Sequence, residues 1–512
     1  MRPSVVSLLA IMMIGCPVLA GSVDGNQPDA PEHPTICLDI PTAILMALEN
    51  NAAIAVQRTV PQIRRTYEQE QASAFDPVLE GNLTPRRAVA DRLSRAGSGL
   101  ERYVVTDAVS GSISLTKPTP TGTTIAISGS SSYTDSSLYS DTFTSTRLGL
   151  TVTQALLQGI DVQANLARVE QARLETQISE YELRAVSEAL VEQVELAFWD
   201  YALAQRQIEI YADSVDLARQ QLEQTQERVR IGRLAETELA AAQAELALRQ
   251  ENLINATSDL AKRRLELLRL LNPDKRIDWD TQLRLQYQLA IPDIQLDHVD
   301  RHVQLAMLLR PEINQAKLQI RRGQLDVVQT KNGLLPRLDL FIDLGKSGYA
   351  NSFANSLANL DGHGYDYSFG LQLAYTLGNR AAQARHTRAV VTQQQMSLAL
   401  ENLKQLVEVD VRSAYIEVER TRQQIHATAA TRALQQEKLR AESEKFKVGR
   451  STSLLVAQAQ RDLVASQIAE SQALANHLKA LVRLFRLEGS LLQRRGITVP
   501  GERPADLTGK GP

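Results

Sequence analysis

Asp297, His298, Asp300 and His302 form the one cluster in the sequence with a spacing suited to metal ligation. On a helix, histidines at i and i+4 share a face, and two imidazoles beside carboxylates could hold zinc. The polarity of a helix start explains Asp297 and Asp300 equally well, because carboxylates there meet free backbone N–H groups. No metal is assigned. The other chemistries that short motifs announce are missing: there is no G-x-G-x-x-G, P-loop, H-E-x-x-H or G-x-S-x-G. Carboxylates are plentiful, but none stands out as an acid–base pair. The chain does not read as an enzyme, and no cofactor is expected.

The elements carrying these residues are more informative. Arg230-Ile231-Gly232-Arg233, followed by Leu239 and Ala242 to Leu246, is nearly repeated by Lys447-Val448-Gly449-Arg450, followed by Val456 and Ala459 to Leu463. Each copy sits where a long helical pattern stops at a glycine and a second begins, and the two glycines lie 217 residues apart. A second set of anchors, Ala47/Ala306, Ile54/Ile313 and Pro77/Pro336, keeps a constant offset of 259 residues without a gap. The chain is built twice from one plan.

Helical runs from about Gly159 to Ile231 and from about Arg380 to Val448 contain no proline and are rich in good helix formers. At 1.5 Å per residue each would be roughly 100–110 Å long, and such helices need neighbours along their length. Shorter helices return from about Thr237 to Leu271 and Thr452 to Leu487. After Pro336, Leu338, Leu340, Ile342 and Leu344 alternate with Asp339, Phe341 and Asp343, as on a strand with one apolar face. Residues 112–130 alternate likewise about a hairpin turn at Pro118 to Gly122, and aromatics concentrate in these strand windows. Aromatics on alternating strands mark the interfaces of a membrane barrel, and a soluble sandwich enriches them too.

With 56 basic against 59 acidic residues and a net charge of −3, the chain has no electrostatic footprint for nucleic acid. Arg2 and the apolar run Val5 to Ile14 read as an export signal, too short to span a bilayer. Two processing routes stay open. Cleavage after Ala20 gives a mature chain from Gly21, whereas Met13-Ile14-Gly15-Cys16 resembles a lipoprotein box with Cys16 lipidated. Cleavage after Ala20 leaves Cys37 alone, so no intrachain disulfide forms.

These pieces together resemble the TolC-like outer-membrane efflux protein family over nearly all of the mature length. The resemblance is carried by Leu38-Asp39 with Ala43, Ala47-Leu48 and Asn50-Asn51, and by Ala306 with Arg310-Pro311-Glu312-Ile313. Leu334-Leu335-Pro336-Arg337-Leu338, Thr153 to Leu157, Tyr375 to Arg380 and the two Gly-Arg tips complete it. It implies a mainly α fold with membrane β: an internally duplicated homotrimer, each protomer giving four strands or slightly more to one shared barrel in outer-membrane lipid. The helices would continue it as an α-helical barrel in the periplasm. The implied partners are a periplasmic adaptor and an inner-membrane pump, and the implied role is a passive exit duct for drugs, metals or proteins. A periplasmic coiled-coil adaptor or strut is the competing reading, and it leaves the two aromatic strand regions unexplained.

On this plan residues 1–20 are a signal peptide and 21–271 a first repeat, with strands about 76–154 and a hairpin about 159–271. Residues 272–298 connect, 299–490 form a second repeat (strands about 336–376, hairpin about 380–488), and 491–512 are a flexible tail. The first strand region is longer by 38 or so residues, expected as an outer hairpin or loop around Pro118 to Ser136. Proline is frequent in the family where Ala155 and Thr376 stand, so the bends into the helices are made differently here. The resemblance places the periplasmic gate and adaptor contacts at Arg230, Gly232, Arg233, Thr237 and Glu238, and at Phe446, Gly449, Arg450, Ser451, Leu455 and Gln458. Well-known members carry an arginine at the position of Ser451 and aspartates at those of Leu455 and Gln458. Glu238 is the only acidic residue at the matching positions, so a salt-bridge latch is not expected.

Overall fold

A computed structural model describes residues 35–91, 103–137, 141–272, 279–287, 296–498 and 501. The export signal, Cys16 and the cleavage site lie outside the described residues. The two halves follow one order of elements. The first runs β1 (Thr35–Leu38), α1 (Ile40–Asn50), α2 (Ala52–Ala72), β2 (Val78–Asp91), β3 (Tyr103–Pro118), β4 (Thr123–Ser136), β5 (Phe143–Ala155), α3 (Val162–Arg230) and α4 (Glu236–Leu271). The second runs β6 (Gln282–Leu285), α5 (Val299–Leu309), α6 (Pro311–Asn332), β7 (Arg337–Ala350), α7 (Phe353–Ala358), β8 (Tyr365–Ala374), α8 (Arg380–Lys447), α9 (Ser453–Leu487) and α10 (Leu491–Arg494).

The offset of 259 residues reappears in the backbone. The stretch from Ile40 is interrupted at Asn51, and its counterpart at Arg310; both residues are extended and accept no place in either helix. Asn51 caps α2 by accepting from the Ala53 N–H at 2.9 Å, while Pro311 opens α6 at a position where its missing N–H costs nothing. β2 and β7 then begin at equivalent residues, Val78 and Arg337.

The long helices α3 and α8 span 69 and 68 residues, about 100 Å each at the α-helical rise. Their fully buried side chains cluster near mid-length, where Val191, Val194 and Phe198 of α3 and Val407 and Val411 of α8 meet Leu267, Leu271 and Leu484. A collar wraps this level. It consists of α1, α5, α10 and the parallel pair β1–β6, whose Leu283 carbonyl accepts from the Tyr201 hydroxyl at 3.2 Å. Residues 491–498 belong to the collar too. Leu491 and Leu492 are buried in the core, which corrects the expectation of a tail beginning at 491, because these apolar side chains fill the groove beside α3 and α9.

Charges are buried in the collar as well. Arg184, 2% exposed, donates to Glu188 at 3.1 Å and to the carbonyls of Gly489 at 2.7 Å and Gly501 at 2.9 Å. Arg495 holds the buried Glu195 through two bonds of 2.8 and 2.6 Å. Burial pushes the Glu188 carboxyl up to about 7, with Arg184 pulling the other way. Burial also pushes Glu488 up, but His302, Ser490 and Arg494 together outweigh it and hold that carboxyl below its usual range. A carboxyl raised in the folded state contributes stability below its unfolded value, and loses it as pH rises through about 7. Glu188→Gln should therefore flatten the decline in melting temperature between pH 5 and 8, removing a pH-dependent contribution of about 3 kcal/mol. An unchanged pH–melting curve in the Gln variant would defeat this assignment.

The six-stranded antiparallel sheet has the order β2-β3-β4-β5-β7-β8. The extra length of the first half is thus a complete additional pair of strands. Its tight turn at 119–122 is at the helix end of the sheet, not the outer end: Asn165, in the first turns of α3, donates to the Pro120 carbonyl at 2.7 Å. The outer hairpin expected around Pro118 to Ser136 is corrected accordingly. The bends into the long helices are made by left-handed residues, Gly159 before α3 and Gly378-Asn379 before α8, in place of proline.

Candidate functional site

Two regions carry the residues expected to act. At the helical tips, α3 ends at Arg230 and Gly232 takes φ +74°, so that the Arg233 N–H reaches the Arg228 carbonyl at 2.8 Å. The second tip repeats this: Gly449 has φ +76° and the Arg450 N–H reaches the Lys445 carbonyl at 2.8 Å. Such 6→1 closure satisfies the last carbonyls of a helix and turns the chain sharply, and glycine adopts it without a Cβ clash. Thr452 caps α9, accepting from the Leu455 N–H at 3.4 Å.

The two hairpins touch near their tips. The Ser453 hydroxyl donates to the half-buried Glu238 carboxylate, and the Arg228 guanidinium lies 4.6 Å from the centre of the buried Phe446 ring. Further up, Glu245 meets Arg249 at 2.5 Å and Arg461 at 4.0 Å. Ser451 donates to Glu442 at 2.8 Å, and the Lys445 ammonium with this hydroxyl holds the Glu442 carboxyl below its usual range. Arg230 pairs with Glu227 on its own helix at 2.6 Å and is well exposed. Arg233, Thr237, Arg450, Leu455 and Gln458 are also exposed. The structure thus brings Glu238, Ser453, Arg228 and Phe446 into one contact between hairpins and leaves the other tip residues on the surface. Ser453 and Arg228 are absent from the expected set, and no motif marks them.

The second region is the sheet. One face carries Leu79, Leu83, Ile113, Ile127, Leu148 and Leu344, each 42% exposed or more. This face continues through Tyr365, Tyr367, Phe369, Leu371 and Leu373 on β8. The opposite face is polar. Asn82, Ser112, Ser130, Arg147 and Ser347 stand in one cross-strand row, with Ser110 and Ser132 in the next. Arg147 bridges Asp343 and Asp366 at 2.6 Å each, lying across Gly149 and Gly345, where a side chain would collide with it. Towards the outer end α7 folds back onto the apolar face and covers hydroxyls there: Ser356 meets Thr146 at 2.7 Å, and Thr146 meets Ser131 at 3.1 Å. A sheet with a wide apolar face and two unpaired edge strands, β2 and β8, is incomplete alone; in lipid it must be closed by other strands.

His298 and His302 do not converge. His298 caps α5, whereas His302 is buried with its Nδ1 2.5 Å from Glu488.

The fold is shared with solved structures. A membrane protein from Pseudomonas aeruginosa superposes with a TM-score of 0.66 at 18% identity, covering 92% of this chain and 93% of that one. The CmeC outer membrane channel of Campylobacter jejuni gives 0.64 at 14% identity, covering 91% and 87%. The outer membrane protein VceC of Vibrio cholerae gives 0.62 at 14% identity, covering 88% and 96%. At these identities the likeness shows the fold. No curated protein matches by sequence. The family model described as outer membrane efflux protein matches residues 122–273 and 302–490, well over half of the chain. Its first segment opens in the β3–β4 turn and holds β4 and β5; its second holds β7 and β8.

Proposed function

The chain belongs to the outer membrane efflux protein family, and we propose that its helical tips are the gate and docking end of a passive duct served by an adaptor and a pump. The protein is an outer-membrane efflux channel, trimeric and working with efflux pump partners as the family does. The observation that carries this reading is one continuous protomer: an open-edged sheet with an apolar face, joined to two helical hairpins about 100 Å long. A periplasmic strut has no use for that sheet. No catalytic step is proposed, and transport is down a gradient made by the pump.

In this reading the exposed tip residues Arg230, Arg233, Thr237, Arg450, Leu455 and Gln458 are available to the adaptor. Gly232 and Gly449 set the turns, and Ser451 and Phe446 hold the second tip in shape. Glu238 and Ser453 fasten one hairpin to the other without an ion pair, which suits a gate that lacks the charged latch of other family members. Three half-buried Glu238 carboxylates where the duct narrows would favour cations. In planar bilayers Glu238→Gln is expected to lower cation preference and to weaken block by divalent cations applied from the tip side. Selectivity and block both unchanged would remove Glu238 from the gate and leave it only the first turn of α4, where a carboxylate suits the helix dipole.

A further inference from the structure

We propose that each protomer builds six strands into the outer-membrane wall, so that three copies close an 18-stranded barrel whose inner face is lined by hydroxyls. This rests on the trimeric-duct reading and goes beyond it, because the family pattern matches only two strands in each half, β4–β5 and β7–β8. The pair β2–β3 is in excess of that pattern, yet it is fully part of the sheet. β2 pairs with β3 along all fourteen of its residues, Val78 with Thr116 through Asp91 with Tyr103. β3 pairs with β4 from Thr106 to Pro118.

Three features place β2 and β3 in the wall. The first is the alternation of faces. Leu79, Leu83, Ile113 and Leu115 continue the apolar face of Ile127 and Leu148, while Asn82, Ser112 and Ser114 continue the polar face. An accessory hairpin lying in water would not keep one face apolar in register with lipid-facing strands. The second is strand direction. β2 leaves the helical end and β8 returns to it, with four strands alternating between them. A β8–β2 seam between neighbours is therefore antiparallel, and the alternation runs unbroken round the ring. Both edge strands are exposed along almost their whole length and carry apolar residues on the same side, so what completes them is a second copy of this chain.

The third is size. Strands about 4.8 Å apart and tilted about 40° give a ring about 36 Å across for 18 strands and about 24 Å for twelve. At the sheet end each protomer presents four helices, α2, α3, α6 and α8, and twelve helices spaced about 9–10 Å also make a ring about 36 Å across. Eighteen strands meet the helical barrel without a taper. The inner wall then carries broad rows of short side chains, Ser110, Ser112, Ser114, Ser128, Ser130 and Ser132. Its barrel sets little restriction on hydrated polar cargo, and selection falls to the helical tips.

The test uses the full-length protein in proteoliposomes, in a Cys37→Ser background, with single cysteines read by a charged, membrane-impermeant maleimide. Asn82→Cys and Ser112→Cys should label at least tenfold faster than Leu83→Cys and Ile113→Cys. Equal labelling of the two faces would mean that β2 and β3 lie outside the wall, and would overturn the proposal. Electron cryomicroscopy of the parent should count 18 strands around the ring; twelve would overturn it independently of any variant. Light scattering in detergent separates the two readings. If no trimer forms, the duct itself fails; if a trimer forms with twelve strands, only the wider barrel does.

Discussion

Arg184→Ala is expected to cost the protomer about 3–5 kcal/mol and to abolish assembly of heat-stable protein at 37 °C. Three losses combine. The buried Glu188 loses its cationic partner, and the carbonyls of Gly489 and Gly501 lose their donors. Each buried acceptor left unpaired costs about 1–3 kcal/mol, and a cavity opens where a side chain 2% exposed had packed. Since Gly489 and Gly501 flank α10, the damage should spread to the segment that seals the collar. The measurement is the melting temperature of the detergent-solubilised protein, with Arg184→Lys as comparison. Lysine keeps the charge but cannot present the planar fork that reaches three acceptors, so it should recover only part of the loss. A melting temperature in the Ala variant within a degree or two of the parent would show that the network is not what holds residues 488–498 down.

This network is a case the sequence could not display. Arg184, Glu188 and Glu195 sit in a long helix rich in charges, where a solvated face is the ordinary expectation. Only the return of residues 488–498 onto α3 removes water from them, and that contact spans some 300 positions. The duplication was legible because it is a matter of spacing: the offset of 259 residues foretells the breaks at Asn51 and Arg310, and two Gly-Arg pairs foretell two left-handed turns. Strand faces were legible for the same reason. Strand parity was not. Alternation in 112–130 identifies a hairpin about Pro118 to Gly122, but it is the same read from either end of the membrane. What decides the end is the number of reversals since the last helix, and β2, with Pro85 and Arg86-Arg87 inside it, carries a weak strand signal. Nor does composition announce α7, which covers Thr146 and Ser131 on the face that carries Leu148 and Ile127. At the tips, turn glycines declare themselves, whereas Glu238 against Ser453 depends on how two hairpins lie side by side.

Gly122→Val should sever barrel from helices more cleanly than any change in the helices themselves. Gly122 has φ +77°, and a Cβ there would run into the carbonyl of Gly159 and stand 3.2 Å from the Ala155 Cβ. Both obstacles belong to the elbow where β5 becomes α3, so neither can swing aside as a surface side chain would. The Gly122 carbonyl also accepts from the Ala155 N–H at 3.0 Å, and Asn165 ties the same elbow to Pro120 and Gly159 at 2.7 and 2.6 Å. A left-handed conformation costs a β-branched residue about 1–2 kcal/mol, and overpacking against fixed backbone adds about 1–3 kcal/mol. The penalty falls on each protomer, and a closed barrel must seat all three turns, so the assembled wall loses roughly 6–15 kcal/mol by these figures. Of the long helices, α3 meets these atoms only in its first turns, through Asn165, and its buried collar residues from Leu190 on lie well beyond them along the chain. Far-ultraviolet circular dichroism should therefore keep its helical signal, while the trimer band on unheated gels disappears. Gly122→Ala, with the strain but a smaller clash, should fall between the two. A Val variant that still runs as a heat-stable trimer would mean that the β3–β4 turn is not seated on the elbow, and that the wall closes without it.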